Sequence, residues 1–569
     1  MWKEKREQIL ITCVIGVLLL VVAVCCRPVF YLNDDVTMRS ILSGSYTGVP
    51  DGHAVYMKYP LTGALSILYR IIGGIPWLEL FFSCCFLWAL WEILSVVKWK
   101  AIGLLVSFLF FLPFYLYMHY TVIAAVLAGT AVFLACAEEK RAKSILFWLV
   151  AWMVRSQVAY LSLPFLGVAL LAGLLQCTEG GVKAYLKKSA GVLAAGVGSL
   201  LICVGLHTIN YAGEEWQAYL RYNDGRTTLY DYTNFLSTDH YAKHYEQYGM
   251  TAEEFAVLNS YNTMLDGSID EVRMEEVAIA VSAGMTEEKD ETAWLKECVK
   301  KYYYYIRYPD NIYVVLWLAA VVCSTGVLLF LRQWRSLLLL GCLEGGRSLI
   351  WVFLIWKDRF PERVEVTLYI LELFLLVGMI RPFLATAVER LNGYIQGMAE
   401  EKGTFKKPLM YTIRIGVMVV FCTGLAFLGC QIKADWERAG LQKSVQEEWT
   451  ILKEYCGNSR ETLYLADVFS IVEYSDLLFE QDPENIMMAG GWMSASPLAA
   501  ERFAAYGATD GAQALFKNEN VVFLAEKDRD VSWLEAYLQN RFGACELQSG
   551  QEILCGPDKI LVEYRVFAE

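Results

Sequence analysis

The sequence predicts an α-helical polytopic membrane protein: a bundle of about eleven transmembrane helices followed by a C-terminal α/β domain. Three observations carry that expectation. Of 569 residues, 56% are hydrophobic and only 19% are charged, with a mean hydropathy of +0.37, whereas a soluble chain carries about a quarter charged residues. Separate apolar runs reach ~17–22 residues, enough to cross a ~30 Å hydrocarbon core as helices. Beyond residue 433 the pattern changes to short apolar strands alternating with helical stretches, the mark of a small α/β fold.

The first run, 8–26, comes directly after MWKEKR. It is too long for a signal-peptide core and has no small-residue cleavage site before Arg27, so it reads as a retained first helix. The other candidate spans are 76–97, 101–118, 120–137, 144–157, 159–176, 189–211, 311–331, 336–356, 364–381 and 410–431. The span 144–157 is short and contains Arg155, so 144–176 reads either as two helices or as one broken, re-entrant element.

Lys and Arg cluster in MWKEKR, KWK (98–100), EEKRAK (138–143), KAYLKK (183–188), RQWR (332–335) and EEKGTFKK (400–407). By the positive-inside rule the N-terminus lies in the cytoplasm. The opposite side then receives 27–75, 213–308, 357–363 and the C-terminal domain of a multi-pass protein of the cytoplasmic (inner) membrane. This divides the chain into a transmembrane region, 1–432, and an extracytoplasmic domain, 433–569.

Within 27–75, AVYMKYPLTGALSILYRIIGGIPW predicts an amphipathic helix in the membrane interface. The loop 213–308 is rich in Tyr and acids and helical in pattern, and loops this long inside a compact protein usually serve function. In the last domain, 461–467, 485–491, 520–528 and 559–566 read as strands, and 468–479, 496–507 and 531–543 as helices. Many of the 16 cysteines lie in apolar runs, where Cys packs as a small hydrophobe. Cys545 and Cys555 would be a disulfide in an extracytoplasmic domain, or two thiols.

The net charge of −12 with no basic face argues against nucleic acid. Nucleotide-loop, HExxH and GxSxG motifs are absent. Few charges lie within spans, which leaves an ion-coupled carrier little to work with. Glu344 is one of them, spaced to pair with Arg347 along one helix. Charges gather instead at the predicted outer span ends: Asp34 and Asp35, His119 and Tyr120, Arg155, and Lys357, Asp358, Arg359 and Arg363. In a compact bundle these acids, imidazole and cations would face one outer cavity. That set suits a reaction between a lipid phosphate and a hydroxyl acceptor, a carboxylate taking the proton and cations stabilising the departing phosphate. NDDVTMRS is also a good helix start, in which the same acids would cap free N–H groups. Arg226 and Asp231, in the long loop, are spaced for an ion pair or for assisting at the site.

The order of first helix, NDD, amphipathic segment, many spans and outer α/β domain resembles the class-C (GT-C) membrane glycosyltransferases, such as the protein O-mannosyltransferases and lipid A aminoarabinose transferases. The resemblance covers the whole chain as a plan and rests on one short acidic motif, here Asp-Asp in place of the commoner Asp-Glu. It implies an inverting transfer of sugar from a polyprenyl-phosphate donor to an envelope glycan, lipid or protein on the extracytoplasmic side. Asp34 matches the position assigned as base and Asp35 the second acid, and a divalent metal, Mg or Mn, held by the two is left open. Arg155, Lys357, Arg359 and Arg363 would hold the donor phosphate, with His119, Tyr120, Arg226 and Asp231 assisting. AGGWMS (489–494) and LADVFS (465–470) would be the acceptor-side edges of the C-terminal domain. Two other classes remain open: a non-catalytic flippase or organiser of glycolipids, and a polymerase or ligase of lipid-linked glycans.

Overall fold

The computed structural model describes residues 2–96, 110–176, 181–237, 239–286, 291–307, 313–357, 360–401, 429, 433, 446–474 and 476–568. The helices that position the site are, in chain order, α1 (Trp2–Cys26), α2 (Asn33–Ser43), α3 (Tyr59–Ile71), α4 (Trp77–Val96), α5 (Tyr120–Ala135), α6 (Arg141–Val154), α7 (Ser156–Leu175), α8 (Val182–Asn210), α9 (Glu214–Asp231), α10 (Glu291–Arg307), α11 (Tyr313–Phe330), α12 (Trp334–Trp356) and α13 (Glu362–Glu401). Among the described residues seven, α1, α4, α7, α8, α11, α12 and α13, are long and apolar enough to cross a membrane. The chain is a multi-pass membrane protein by that measure. All of the candidate span 410–431 except Gly429, and the first half of 101–118, lie outside the described residues; 110–116 are helical.

α5 is shorter, and every one of its residues is buried, because α4, α6, α7 and α13 surround it. The predicted break at Arg155 is real. Arg155 sits between α6 and α7 with extended backbone (φ −151°, ψ 99°), ending one helix and starting the next. α3 presents Ile67 and Ile71 outward and buries Leu61, Leu65 and Tyr69, as an amphipathic helix should.

One expectation inside the spans is corrected. Arg347 pairs not with Glu344 but with Glu372 of α13, at 2.7 Å, and Glu372 also accepts the indole N–H of Trp317 at 2.8 Å. The guanidinium lies 4.0 Å and 4.4 Å from the ring centres of Trp317 and Trp351. A fully buried cation needs a partner on another helix when its own helix keeps the nearest acid turned aside, and here α11, α12 and α13 converge to supply it.

The C-terminal region builds a five-stranded sheet in the order β5-β3-β6-β8-β7, from β3 (Leu463–Ala466), β5 (Ile486–Met488), β6 (Val521–Glu526), β7 (Cys545–Leu554) and β8 (Ile560–Ala568). β3 runs parallel to β5 and β6, and β8 pairs antiparallel with β6 and β7. The four predicted strands are present; β7 is an addition to them. Cys545 and Cys555 lie at opposite ends of β7, ~30 Å apart at strand rise, so no disulfide joins them. The predicted helix 468–479 is also corrected: Val468–Ile471 makes one turn, and Asp476–Leu477 is a strand, β4.

β4 belongs to a second, three-stranded sheet. β1 (Val29–Phe30) pairs antiparallel with β4 and parallel with β2 (Tyr117–Met118). The first loop, the start of α5 and the α/β region are thereby joined by backbone hydrogen bonds. Side chains reinforce the joint. Buried Arg39 of α2 bonds Asp476, Asp482 (2.6 Å) and the carbonyl of Leu477 (2.9 Å), and lies 3.5 Å from Glu79 of α4. Lys453 meets Asp476 at 2.6 Å.

Candidate functional site

A cavity of about 890 Å³ opens where α2, α5, α7, α9 and α13 meet the α/β region. Asp34, Tyr120, Arg155, Arg226, Asp231 and Arg363 all line it. Six sequence-predicted residues from five separate segments thus share one chamber. His119, Asp35 and Lys357 are not in its lining; Lys357 is exposed, 5.5 Å from the ring centre of Trp356. Arg359 and Asp358 lie outside the described residues.

The two adjacent acids separate because successive residues of a helix point about 100° apart. Asp34 faces the chamber. Asp35 turns inward, and its Oδ1 accepts the backbone N–H of Tyr120 at 2.9 Å. Beside it the His119 Nδ1 accepts the N–H of Thr121 at 2.8 Å. Together they satisfy two of the open donors at the first turn of α5. Neither acid caps α2 itself: its cap residue is Leu32, with no side-chain bond. The capping seen in the sequence therefore exists, but on a helix 85 residues away.

This geometry divides the expected roles. Enclosure pushes the Asp34 carboxyl up from its ordinary value, opposed by Arg155, Arg363 and Arg226 and assisted by Asp231. A carboxylate raised above its ordinary value beside cations has the character of a general base. Burial pushes Asp35 well above its ordinary value, the Tyr120 N–H opposing and Asp34 adding to the rise. Its Oδ2 is buried without a hydrogen-bond partner. Burial, then Arg363 and Arg155, hold His119 well below its usual value, and its Nε2 is buried without a hydrogen-bond partner. His119 and Asp35 set α5 in place rather than face a reactant.

The cations are held differently from one another. Arg155 donates to the Tyr120 hydroxyl and stacks with its charge 4.9 Å and 5.3 Å from the Tyr120 and Tyr56 ring centres. Arg226 is 3% exposed and donates to Asn223 (2.9 Å), Tyr261 (2.6 Å) and Thr227 (2.9 Å), all neutral oxygens. No Arg226–Asp231 ion pair is among these bonds. The carboxylates of Asp231 and Asp34, which line the same chamber, lie within electrostatic reach of this guanidinium.

Sequence reasoning missed the part played by Tyr261. Its backbone is left-handed (φ 61°), a conformation costly for a side-chain-bearing residue. Its carbonyl lies so close to Gly490 that a Cβ there would sit 1.8 Å away. The loop that begins at Tyr261 plugs the strand ends. Asn262 bonds Asp467 (2.7 Å) and the N–H of Val468 (3.0 Å), and the N–H of Met264 reaches Ala489 (2.9 Å). Asp467 of LADVFS therefore holds the protein's own loop, while Val468 beside it and Gly490, Gly491, Trp492 and Met493 of AGGWMS line the chamber. Gly490→Ala is expected to lose about 1–3 kcal/mol by overpacking against the Tyr261 backbone, seen as a lower unfolding midpoint than wild type gives in parallel scans.

The acids do not fit a two-carboxylate metal site. Asp35 is committed to the Tyr120 N–H on the far side of α2, and among the described residues no group of three His, Cys, Asp or Glu side chains converges on a metal position. The chain matches no protein-family model, no curated protein and no solved structure. Its class is what the fold itself defines: a multi-pass membrane protein with a docked α/β region and a polar, arginine-lined chamber between them.

Proposed function

We propose that the protein is an inverting membrane glycosyltransferase that moves a sugar from a polyprenyl-phosphate donor to an envelope glycan, lipid or protein. The observation that carries the reading is Asp34, tuned upward among Arg155, Arg226 and Arg363 in one chamber of about 890 Å³. Asp34 takes the proton of the acceptor hydroxyl. The hydroxyl oxygen bonds to the anomeric carbon as its bond to the phosphate oxygen breaks, and the electron pair leaves with the phosphate. Arginines fixed in place before the reaction stabilise that charge without reorganising. Tyr56, Tyr120 and Trp492 give the sugar flat apolar faces.

The topology in this reading has about eleven spans, the N-terminus in the cytoplasm and the chamber on the extracytoplasmic side of the inner membrane. The test has two arms. Envelope glycan composition is measured by mass spectrometry in a strain lacking the protein, with and without the wild-type gene restored. Purified protein in vesicles is then given polyprenyl-phosphate sugars and the deficient glycan. The expected result is one missing sugar, restored in both arms. A glycan that reaches the outer surface in smaller amount but unchanged composition would point instead to a flippase or organiser. Transfer of whole oligosaccharide blocks would point to a polymerase or ligase.

A further inference from the structure

A second chamber, of about 310 Å³, abuts the first. It is lined by Lys301 and Tyr305 of α10, Ile355 of α12, Phe360, and by Pro361, Arg363 and Asp231, the last three of which also line the main cavity. Asp231, Pro361 and Arg363 therefore form a wall common to both chambers. Its walls are of two kinds. Tyr305, Ile355 and Phe360 are apolar, with the Tyr305 and Phe360 rings 5.4 Å apart. Lys301 and Arg363 are cationic and outnumber the single carboxylate, Asp231, by one.

The helix bringing Lys301 has an outward face that fits lipid. α10 packs along the last turns of α12: Trp294 donates to the Trp356 carbonyl at 3.0 Å, and the Tyr302 hydroxyl meets Ser348 at 2.8 Å. α12 is a candidate membrane span, so α10 flanks it at membrane depth. There α10 exposes Leu295 (50%), Val299 (50%) and Tyr303 (59%), four residues apart and so in one stripe. Exposed Lys296 and Lys300 run beside that stripe, Lys300 3.5 Å from exposed Glu297, and Arg307 ends it, so cations outnumber the acid there. An apolar stripe bordered by cations is the composition of a helix seated among acyl chains and anionic headgroups.

We infer that the second chamber receives the phosphate head of a membrane amphiphile arriving from the lipid side of α10, with Lys301 and Arg363 as its cations. The apolar wall takes the first carbons of the tail, and the head passes by Arg363 into the main cavity. The inference deepens the transferase reading and rests on it for the fate of the bound head, but the binding itself is measurable alone.

The test uses the full chain in detergent micelles and three probes: farnesyl phosphate, farnesol and inorganic phosphate, with binding read by native mass spectrometry and by competition. Wild type is expected to prefer farnesyl phosphate to either of the other two by at least about tenfold, since head and tail both bind. Lys301→Gln is expected to weaken farnesyl phosphate about five- to tenfold, leave farnesol unchanged, and be rescued by Lys301→Arg. Thermal unfolding of each variant shows whether it is folded, and the rescue separates charge from packing. Equal binding of farnesyl phosphate by Lys301→Gln, or inorganic phosphate competing as well as the amphiphile, overturns the inference. Lys301-dependent binding in a protein that transfers no sugar keeps the chamber and removes the transferase reading.

Discussion

Asp34→Asn is expected to lower sugar transfer by about 10²–10⁴-fold, the usual contribution of a positioned general base, while leaving the unfolding midpoint near that of wild type. Asp34 faces the chamber and makes no helix cap, so removing its charge costs the fold little. Asp35→Asn is expected to do the reverse. An amide oxygen can still accept the Tyr120 N–H, and the buried Oδ2 that lacks a partner loses its charge. Because Asp35 is raised in the folded protein, its contribution favours folding at acid pH and is lost as pH rises through its elevated value. Asp35→Asn should therefore flatten the stability–pH curve above the ordinary carboxylate range and keep most transfer activity. Asp35→Ala should lower stability by about 1 kcal/mol through loss of the cap. Transfer rates on reconstituted vesicles, beside thermal scans from pH 4 to pH 8 (roughly the range between carboxylate and histidine values), read both variants. Equal activity of Asp34→Asn and wild type would remove Asp34 as the base.

The second large effect is at Arg39. Arg39→Met leaves Asp476, Asp482 and Glu79 buried without their shared cation, and breaking a buried pair from one side costs about 3–5 kcal/mol. The expected result is a lower unfolding midpoint and loss of transfer, because Arg39 stands one turn beyond Asp34 on the same helix and ties it to the α/β region. Burial would raise Asp476, but Arg39 and Lys453 hold it down to about 2, whereas Asp482 is pushed up by burial, with Asp476 adding. Asp476, braced by both cations at close range, carries the stabilising charge. A depressed carboxylate stabilises above its ordinary value, and that stability is lost as pH falls toward 2. Wild type should thus weaken in acid, and Arg39→Met should weaken less over the same range. Arg39→Met combined with Asp482→Asn should recover part of the midpoint; no recovery would show that the loss is packing alone.

How much could be read from the chain depends on the range of each interaction. The seven spans found among the described residues were legible because each is a property of ~20 consecutive residues, and the broken element at Arg155 because a lone cation interrupts an apolar run. Strands β3, β5, β6 and β8 were legible from composition and spacing. β4 was not: its two residues are a strand only because Val29 and Phe30 pair with them, so local pattern favoured helix. Of the described site residues at span ends, Asp34, Tyr120, Arg155 and Arg363 meet in one chamber, while His119, Asp35 and Lys357 do not line it, because their positions depend on which way each side chain turns. Glu344 and Arg347 had the right spacing for a pair, yet the guanidinium reached across to Glu372. Arg39 carried no local signal, since its partners Asp476 and Asp482 lie 437 and 443 residues on.

That distance along the chain also sets an order of events during synthesis. The segment 29–30 leaves the ribosome well ahead of the strand, Asp476–Leu477, that completes its sheet. At roughly 5–20 residues per second, the 437 residues between Arg39 and Asp476 take on the order of 20–90 s to make. Through that interval α2 holds a cation without its eventual carboxylates, and Asp34 belongs to an open loop. The chamber is finished only when the α/β region folds back onto α2, so a nascent chain inserted in the bilayer keeps the Asp34 side of the chamber unroofed until that region has been delivered.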